Sequence, residues 1–354
     1  MPAASRLTIL SVAYPFAPVS ADSVGGAEQV LWQIDQALVA AGHHSIVIAC
    51  HGSTTAGELI AVPVPDGEID EAKRQIIYEV VRAIIAEAMQ RRTVDLIHLH
   101  GVDFHAYLPP PGPPCLITLH LPPASYAPGA LEVTRRGTWL HCVSPSQQRA
   151  YARVRSILPP IPNGVPVEAL SAHRHAPRSF ALMLGRICPE KGQHFALQAA
   201  HRADVALLLA GSVFAYAAHR DYYARCVAPQ LDRQRRWLGA VGFQRKRRLL
   251  SAARCLLAPS LIEETASLVA MEAMACGTPV IAYPAGALRE LVQPGITGFL
   301  VRNVPEMADA IHRAGDIDPE VCRQIARERF SLRHMTDAYL ARFVALAGTG
   351  AVGE

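Results

Sequence analysis

The chain has 354 residues, 51% of them hydrophobic, which is too much for one ordinary core, suits two domains and excludes a disordered protein. Its 34 lysines and arginines against 30 acidic residues leave a net charge of +4, far from the strongly basic balance of a dedicated nucleic-acid binder, so any anion it meets is expected to be small and met locally. The eight cysteines, at 50, 115, 142, 188, 226, 255, 276 and 322, contain no pair at two- to four-residue spacing. That excludes a zinc ribbon or a CxxC redox pair and reads as small buried apolar residues of a reducing compartment, without disulfides.

The start reads as a first core strand, Leu7 to Val12, rather than a signal peptide, because Pro15 breaks the apolar run. A helical stretch from Ala27 to Ala41 follows, then a strand Ser45 to Ala49, a long helical pattern from Ile69 to Gln90, and short strands at Leu96 to Leu99, Leu116 to Leu119 and Trp139 to Val143. Alternation of this kind predicts a doubly wound parallel sheet. Between Leu158 and Arg178 the composition turns Pro-rich and aperiodic, which predicts a domain linker. The alternation then restarts: Ala181 to Leu184, a helix near Gly192 to Ala203, Ala206 to Leu209, Trp237 to Gly242, a helix from Lys246 to Ala253, Cys255 to Ala258, and Val280 to Ala282. The expected fold class is therefore α/β, with two Rossmann-like doubly wound parallel-sheet domains whose strand ends face a cleft. No segment approaches the ~20 apolar residues of a spanning helix. The protein is expected to be cytoplasmic, at most peripheral at the inner face of the membrane.

One stretch poses a chemical question. EETASLVAMEAMACGTPVIA, Glu263 to Ala282, is apolar yet keeps carboxylates eight positions apart at Glu264 and Glu272. Buried carboxylates need partners. A helix starting near Thr265 to Ser267 would put Glu264 in the loop before it and Glu272 about two turns inside, with the helix N-terminus a ready site for phosphate. Upstream, Gly185, Arg186 and Lys191 lie past a predicted strand and at the start of a helix, where a guanidinium and an ammonium can converge on a diphosphate. Read alone they are solvated loop charges, as Glu272 would be a solvated helix residue and Glu264 a charge favouring the helix dipole.

Taken together, GGAE at Gly25 to Glu28, TLH at Thr118 to His120, VSPS at Val143 to Ser146, PNGV at Pro162 to Val165, GRICPEKG at Gly185 to Gly192 and the spaced glutamates resemble the retaining glycosyltransferases of family 4, which have the GT-B fold. The resemblance runs from about residue 7 to residue 343. It implies an N-terminal domain over 1–165 on the acceptor side, a nucleotide-sugar donor domain over 166–330, and a C-terminal helix over about 331–346 packing back on the first domain. It implies that Glu264 bonds hydroxyls of the transferred sugar, Glu272 the ribose, and His120 the sugar near its reacting carbon. Arg186 and Lys191 would meet the diphosphate, together with the helix N-terminus.

The resemblance further implies a nucleotide-diphosphate sugar as co-substrate, no bound cofactor or metal, and retention by a front-face route in which the leaving phosphate takes the acceptor proton. Family members often have Gly-Phe-Gly where this chain has Thr265, Ala266 and Ser267 before Leu268. Side chains are tolerated there wherever φ is negative. Gly25 and Gly26 precede the first helix, where lack of a Cβ would let backbone approach a ligand. His98, His100 and His105 read as structural or solvated, not as a zinc site.

The run Arg233 to Arg248 is the densest basic patch: a solvated helix face, or a contact for anionic lipid headgroups or an acidic acceptor. RNA is not expected, because no stacking aromatic series accompanies it. The acceptor, whether glycan, lipid-linked or small molecule, is not written in the sequence. A nucleotide-sugar epimerase or sugar phosphorylase on the same fold, and a non-catalytic two-lobed sugar-binding protein, are the alternatives to a transferase.

Overall fold

A computed structural model describes residues 6–64, 67, 69–154, 157–172 and 179–350. The chain divides into two compact units. One takes in the chain up to Pro162 together with the final helix from Met335 onward, and the other is Asn163–His334.

The first unit is built on seven parallel strands: β1 (Thr8–Val12), β2 (His44–Cys50), β3 (Glu58–Val62), β4 (Leu96–Leu99), β5 (Cys115–Leu119), β6 (Thr138–Cys142) and β7 (Ile157–Leu158), in the order β3-β2-β1-β4-β5-β6-β7. Buried aliphatic runs such as Ile46–Ile48 and Leu116–Ile117 fit strands covered on both faces. The strand order reverses between β1 and β4, the crevice where such sheets bind ligands beyond their carboxyl ends. Asp70 caps the long crossover helix Glu71–Arg91 by accepting from the Lys73 N–H at 2.8 Å.

The second unit repeats the plan with six parallel strands: β8 (Phe180–Leu184), β9 (Ala206–Ala210), β10 (Arg235–Trp237), β11 (Cys255–Ala258), β12 (Val280–Ala282) and β13 (Gly298–Leu300), in the order β10-β9-β8-β11-β12-β13. Its switch point lies between β8 and β11. The loops after those two strands carry the GRICPEKG motif and Glu264.

Several sequence expectations are corrected. β3 follows Gly57 and was not foreseen. The strand expected over 237–242 is β10 and stops at Trp237, because Gly239 takes φ +70 and turns the chain. The stretch read as an aperiodic linker includes Leu158 at the end of β7 and a short helix, Val167–Ser171, whose Val167 and Leu170 are fully buried. Its residues 173–178 lie outside the described residues. All eight cysteines are free, and all but Cys226 are buried. No helix among the described residues is long and apolar enough to cross a membrane.

Candidate active site

At the switch point of the second unit, Gly185 follows β8 with φ +144. Gly211 follows β9, and a Cβ on it would lie 1.8 Å from the Gly185 carbonyl oxygen, so the two loops meet backbone to backbone. Arg186 comes next. Its carbonyl accepts from the buried Gln193 amide at 2.8 Å, and its guanidinium lies 5.5 Å over the Phe214 ring, which orients the charge without neutralising it. Lys191 ends the single 3₁₀ turn Pro189–Lys191, and Gly192 then takes φ +70 against the Pro259 carbonyl.

This backbone path carries Lys191 to the loop after β11. Its Nζ lies 2.5 Å from Glu264 Oε1, with the side chains 27% and 12% exposed. The Ser260 hydroxyl donates to the same oxygen at 2.7 Å. Burial works against ionisation of Glu264, but the Lys191 ammonium, the Ser260 hydroxyl and the Arg186 guanidinium outweigh it and hold the carboxyl below its ordinary range. The Glu264 carbonyl accepts from the Ala287 N–H at 2.7 Å, and Gly286, at φ +55, passes close enough that a Cβ would sit 2.3 Å from that oxygen.

The helix after Glu264 is Leu268–Ala275, so Thr265, Ala266 and Ser267 remain in the loop instead of opening the helix. Glu272 is therefore only a little over one turn inside, not two. Its side chain is 4% exposed and lies 2.5 Å from Lys246 Nζ, itself 16% exposed. The question raised by the two carboxylates thus has one answer at both positions: each is seated against a lysine from another element of the same unit. The tolerance expected for Thr265 and Ala266 holds, since neither takes a positive φ. It fails at Ser267, which sits at φ +45 where a Cβ is crowded.

Sequence reasoning missed Lys246 and Ser260. Lys246 stands within the basic run, yet the helix Phe243–Ala252 puts it one turn before the fully buried Leu250, on the inward face. That spacing was the available signal. The run is in fact no single face: Arg235 is buried against Asp232 and Asp204, whereas Arg233, Arg236, Arg245 and Arg248 are exposed.

Beside Arg186, Cys188, Glu190 and His219 bring ligand-type atoms within 4.8 Å of one another. Burial pushes the Cys188 thiol up to about 11, and its Sγ donates to the Arg186 carbonyl.

In the first unit, His120 directly follows β5 and is buried, which pushes its pKa down to about 3. Its Nε2 lies 2.9 Å from His100 Nδ1. His98 and His100 are buried as well, and His105 is exposed. Gly26 opens the helix Gly26–Ala40, and Gly25 caps it. A Cβ on Gly25 would lie 1.8 Å from Glu28 Oε2, so the bare backbone there makes room for the end of the Glu28 side chain. Gly25, Gly26 and His120 thus belong to the first unit. Gly185, Arg186, Lys191, Glu264, Thr265, Ala266, Ser267, Leu268 and Glu272 belong to the second.

Comparison with known proteins follows the same division. Residues 178–315 match the family described as "Glycosyl transferases group 1", and residues 24–169 match "Glycosyltransferase Family 4". The chain is 30% identical over 284 residues to a D-inositol 3-phosphate glycosyltransferase of Mycobacterium bovis, a match covering 77% of this chain and 50% of that protein. It is 37% identical over 130 residues to an alpha-maltose-1-phosphate synthase of Mycobacterium tuberculosis, covering 35% of this chain and 33% of that one. The chain thus spans a third to a half of the length of these curated relatives. Among solved structures, sucrose-phosphate synthase from Thermosynechococcus elongatus superposes with a TM-score of 0.77 at 21% identity over 97% of this chain and all of that one. Anabaena HepE in complex with UDP-glucose gives 0.76 at 19% over 96% and all of it. With two parallel-sheet α/β units in this arrangement of strands, the chain is a GT-B protein and belongs to the family 4, group 1 glycosyltransferases.

Proposed function

We propose that the protein transfers a sugar from a nucleoside diphosphate to an acceptor hydroxyl with retention of configuration, and without a metal ion in the transfer step. The observation that carries this reading is the pairing of Lys191 with Glu264 beside Arg186 at the switch point of the second sheet. Two cations placed there suit the charge that builds on a departing diphosphate, the largest demand in such a transition state. An ionised Glu264 beside them suits hydroxyls on a sugar that becomes cationic as its bond to phosphate breaks. The first-turn N–H groups of the helix Leu268–Ala275 would complete the phosphate site. Glu272 would hold the ribose, and His120 is assigned to the transferred sugar. The departing phosphate would take the acceptor proton, so no protein base is needed.

The solved HepE complexes hold UDP and UDP-glucose, which supports a nucleotide-sugar donor of this kind. A division into an acceptor domain and a donor domain, a reducing cytoplasmic setting, and contact of the exposed arginines with an anionic membrane surface belong to the same proposal. Incubation with a panel of nucleotide-sugars and candidate acceptors, following nucleotide release and product anomer, tests it. Acceptor-dependent release of a nucleoside diphosphate with an anomerically retained product is expected. Isomerised donor without transfer would assign the epimerase class instead, and binding without turnover the non-catalytic class.

A further inference from the structure

The first sheet carries a line of polar residues on one face, within a core that is otherwise mostly apolar. His98 lies on β4, Thr118 on β5 and His141 on β6, and Thr118 and His141 are register partners. His100 and His120 stand two residues beyond His98 and Thr118, so the period of two keeps all five on the same side. Tyr339 and Phe343 of the final helix Leu332–Gly350 cover His98, with ring centroids at 5.6 and 5.1 Å, and Tyr339 covers His141 at 5.4 Å.

The five side chains form one unbroken file. His141 Nδ1 lies 3.1 Å from the Cys142 carbonyl oxygen, and His141 Nε2 is 2.7 Å from Thr118 Oγ1. Thr118 Oγ1 is 2.7 Å from His98 Nε2, His98 Nδ1 is 3.1 Å from His100 Nε2, and His100 Nδ1 is 2.9 Å from His120 Nε2. Burial lowers the pKa of all four rings, and neighbouring histidines at His98, His100 and His141, with Arg342 at His141, push the same way. Each ring is therefore neutral at pH 7, with one N–H and one lone pair.

That count fixes the direction of every bond. A carbonyl only accepts, so His141 carries its proton on Nδ1, and its Nε2 accepts from the Thr118 hydroxyl. With that proton committed, Thr118 Oγ1 accepts from His98 Nε2–H. His98 Nδ1 then accepts from His100 Nε2–H, and His100 Nδ1 from His120 Nε2–H. We propose that this file, anchored on the Cys142 carbonyl, locks His120 in the Nε2–H tautomer, so that His120 presents Nδ1 as an acceptor for a sugar hydroxyl and never as a donor. His98, His100, Thr118 and His141 are then positioning residues. A free imidazole chooses its tautomer to suit its neighbour; this one has the choice made for it four side chains away.

The functional part of the inference rests on the proposed contact of His120 with the transferred sugar, whereas the tautomer does not. Long-range ¹⁵N–¹H correlation spectra of the histidine-labelled, ligand-free protein read it directly. The expected result is pyrrole-type Nε2 and pyridine-type Nδ1 at His98, His100 and His120, with the reverse at His141. Thr118→Val removes the hydroxyl at nearly constant shape, and a second tautomer should then appear together at His98, His100 and His120. Thr118→Ser should restore the single form. A protonated Nδ1 at His120 in the wild type would overturn the proposal, as would a Thr118→Val spectrum in which His120 is unchanged. If Thr118→Val mixes the tautomers to about equal populations, the apparent KM for the donor should rise about twofold with nucleotide affinity unchanged, as half-occupancy of the competent form requires. The predicted spectra with an unmoved KM would leave the file intact and remove His120 from the sugar.

Discussion

Lys246 Nζ lies 2.5 Å from Glu272 Oε1 at a site where the carboxylate is 4% exposed, so the lysine serves as the counter-ion of a carboxylate the apolar helix could not otherwise bury. Lys246→Met should destabilise the protein by about 3–5 kcal/mol, the usual consequence of stranding one member of a buried pair. Adding Glu272→Met should recover most of that loss. Urea unfolding of the two variants measures both, and a single-variant loss below about 1 kcal/mol would show that the pair is not coupled.

The proposed division of labour between the glutamates separates by ligand. Glu272→Gln should weaken free nucleoside diphosphate and intact donor alike. Glu264→Gln should spare the free nucleotide and slow transfer by about 5- to 30-fold, from the roughly 1–2 kcal/mol between charged and neutral hydrogen bonds. Calorimetry and steady-state kinetics read the two effects apart. Equal weakening of nucleotide by both variants would sink the assignment of Glu264 to the sugar.

Removal of either cation should be costlier. Arg186→Ala and Lys191→Ala are each expected to lower turnover by roughly 10²- to 10³-fold, as loss of a transition-state charge partner does. Activity within a few-fold of wild type in both would take them out of the mechanism. Lys191→Ala also strands Glu264, so its thermal stability must be followed alongside.

Stability should fall on mild acidification. Unfolded histidines take up protons near pH 6.5, whereas His120 and His141 in the folded protein do so only at about 3. The unfolded state therefore binds more protons between those values. The contribution of the buried rings is intact above about pH 6.5 and is lost progressively as pH falls toward 3. Urea midpoints measured from pH 7 to pH 5, before carboxylates titrate, should decline. A flat profile would mean that the rings are open to water.

Ser267 holds φ +45, a conformation that costs a residue with a Cβ about 1–2 kcal/mol. Ser267→Gly loses about 0.4–1 kcal/mol through the unfolded chain, so the net expectation is a gain between about 0 and about 1.6 kcal/mol. A destabilised Ser267→Gly would show that the hydroxyl has a compensating contact.

Strand positions were legible because parallel strands buried on both faces are short aliphatic runs: β4, β11 and β12 lie where the residues alone put them. β3 was not, since ELIAV follows β2 with no helix between the two strands to mark it off. The charged residues of the donor motif were legible as a set, while their partners were not. Lys191 and Glu264 are 73 positions apart, and only the return of β11 beside β8 joins them. The histidine file was half visible: HLH and TLH each announce one face of a strand, but the lone His141 of β6 carries no such pattern and the helix that seals the file comes from about 200 residues further on.

The second unit leaves and re-enters the chain at one point. Val165 bridges Ser331, and Gly164 passes so close that a Cβ would lie 2.6 Å from the Ser331 carbonyl oxygen, so entry and exit are riveted side by side. During synthesis, the first sheet emerges before the helix that covers His98 and His141, and the whole second unit is made in between. The domain that begins first is thus the one that finishes last. A chain released just after His334 would hold every residue of the second unit and a first unit whose histidine file lacks its cover.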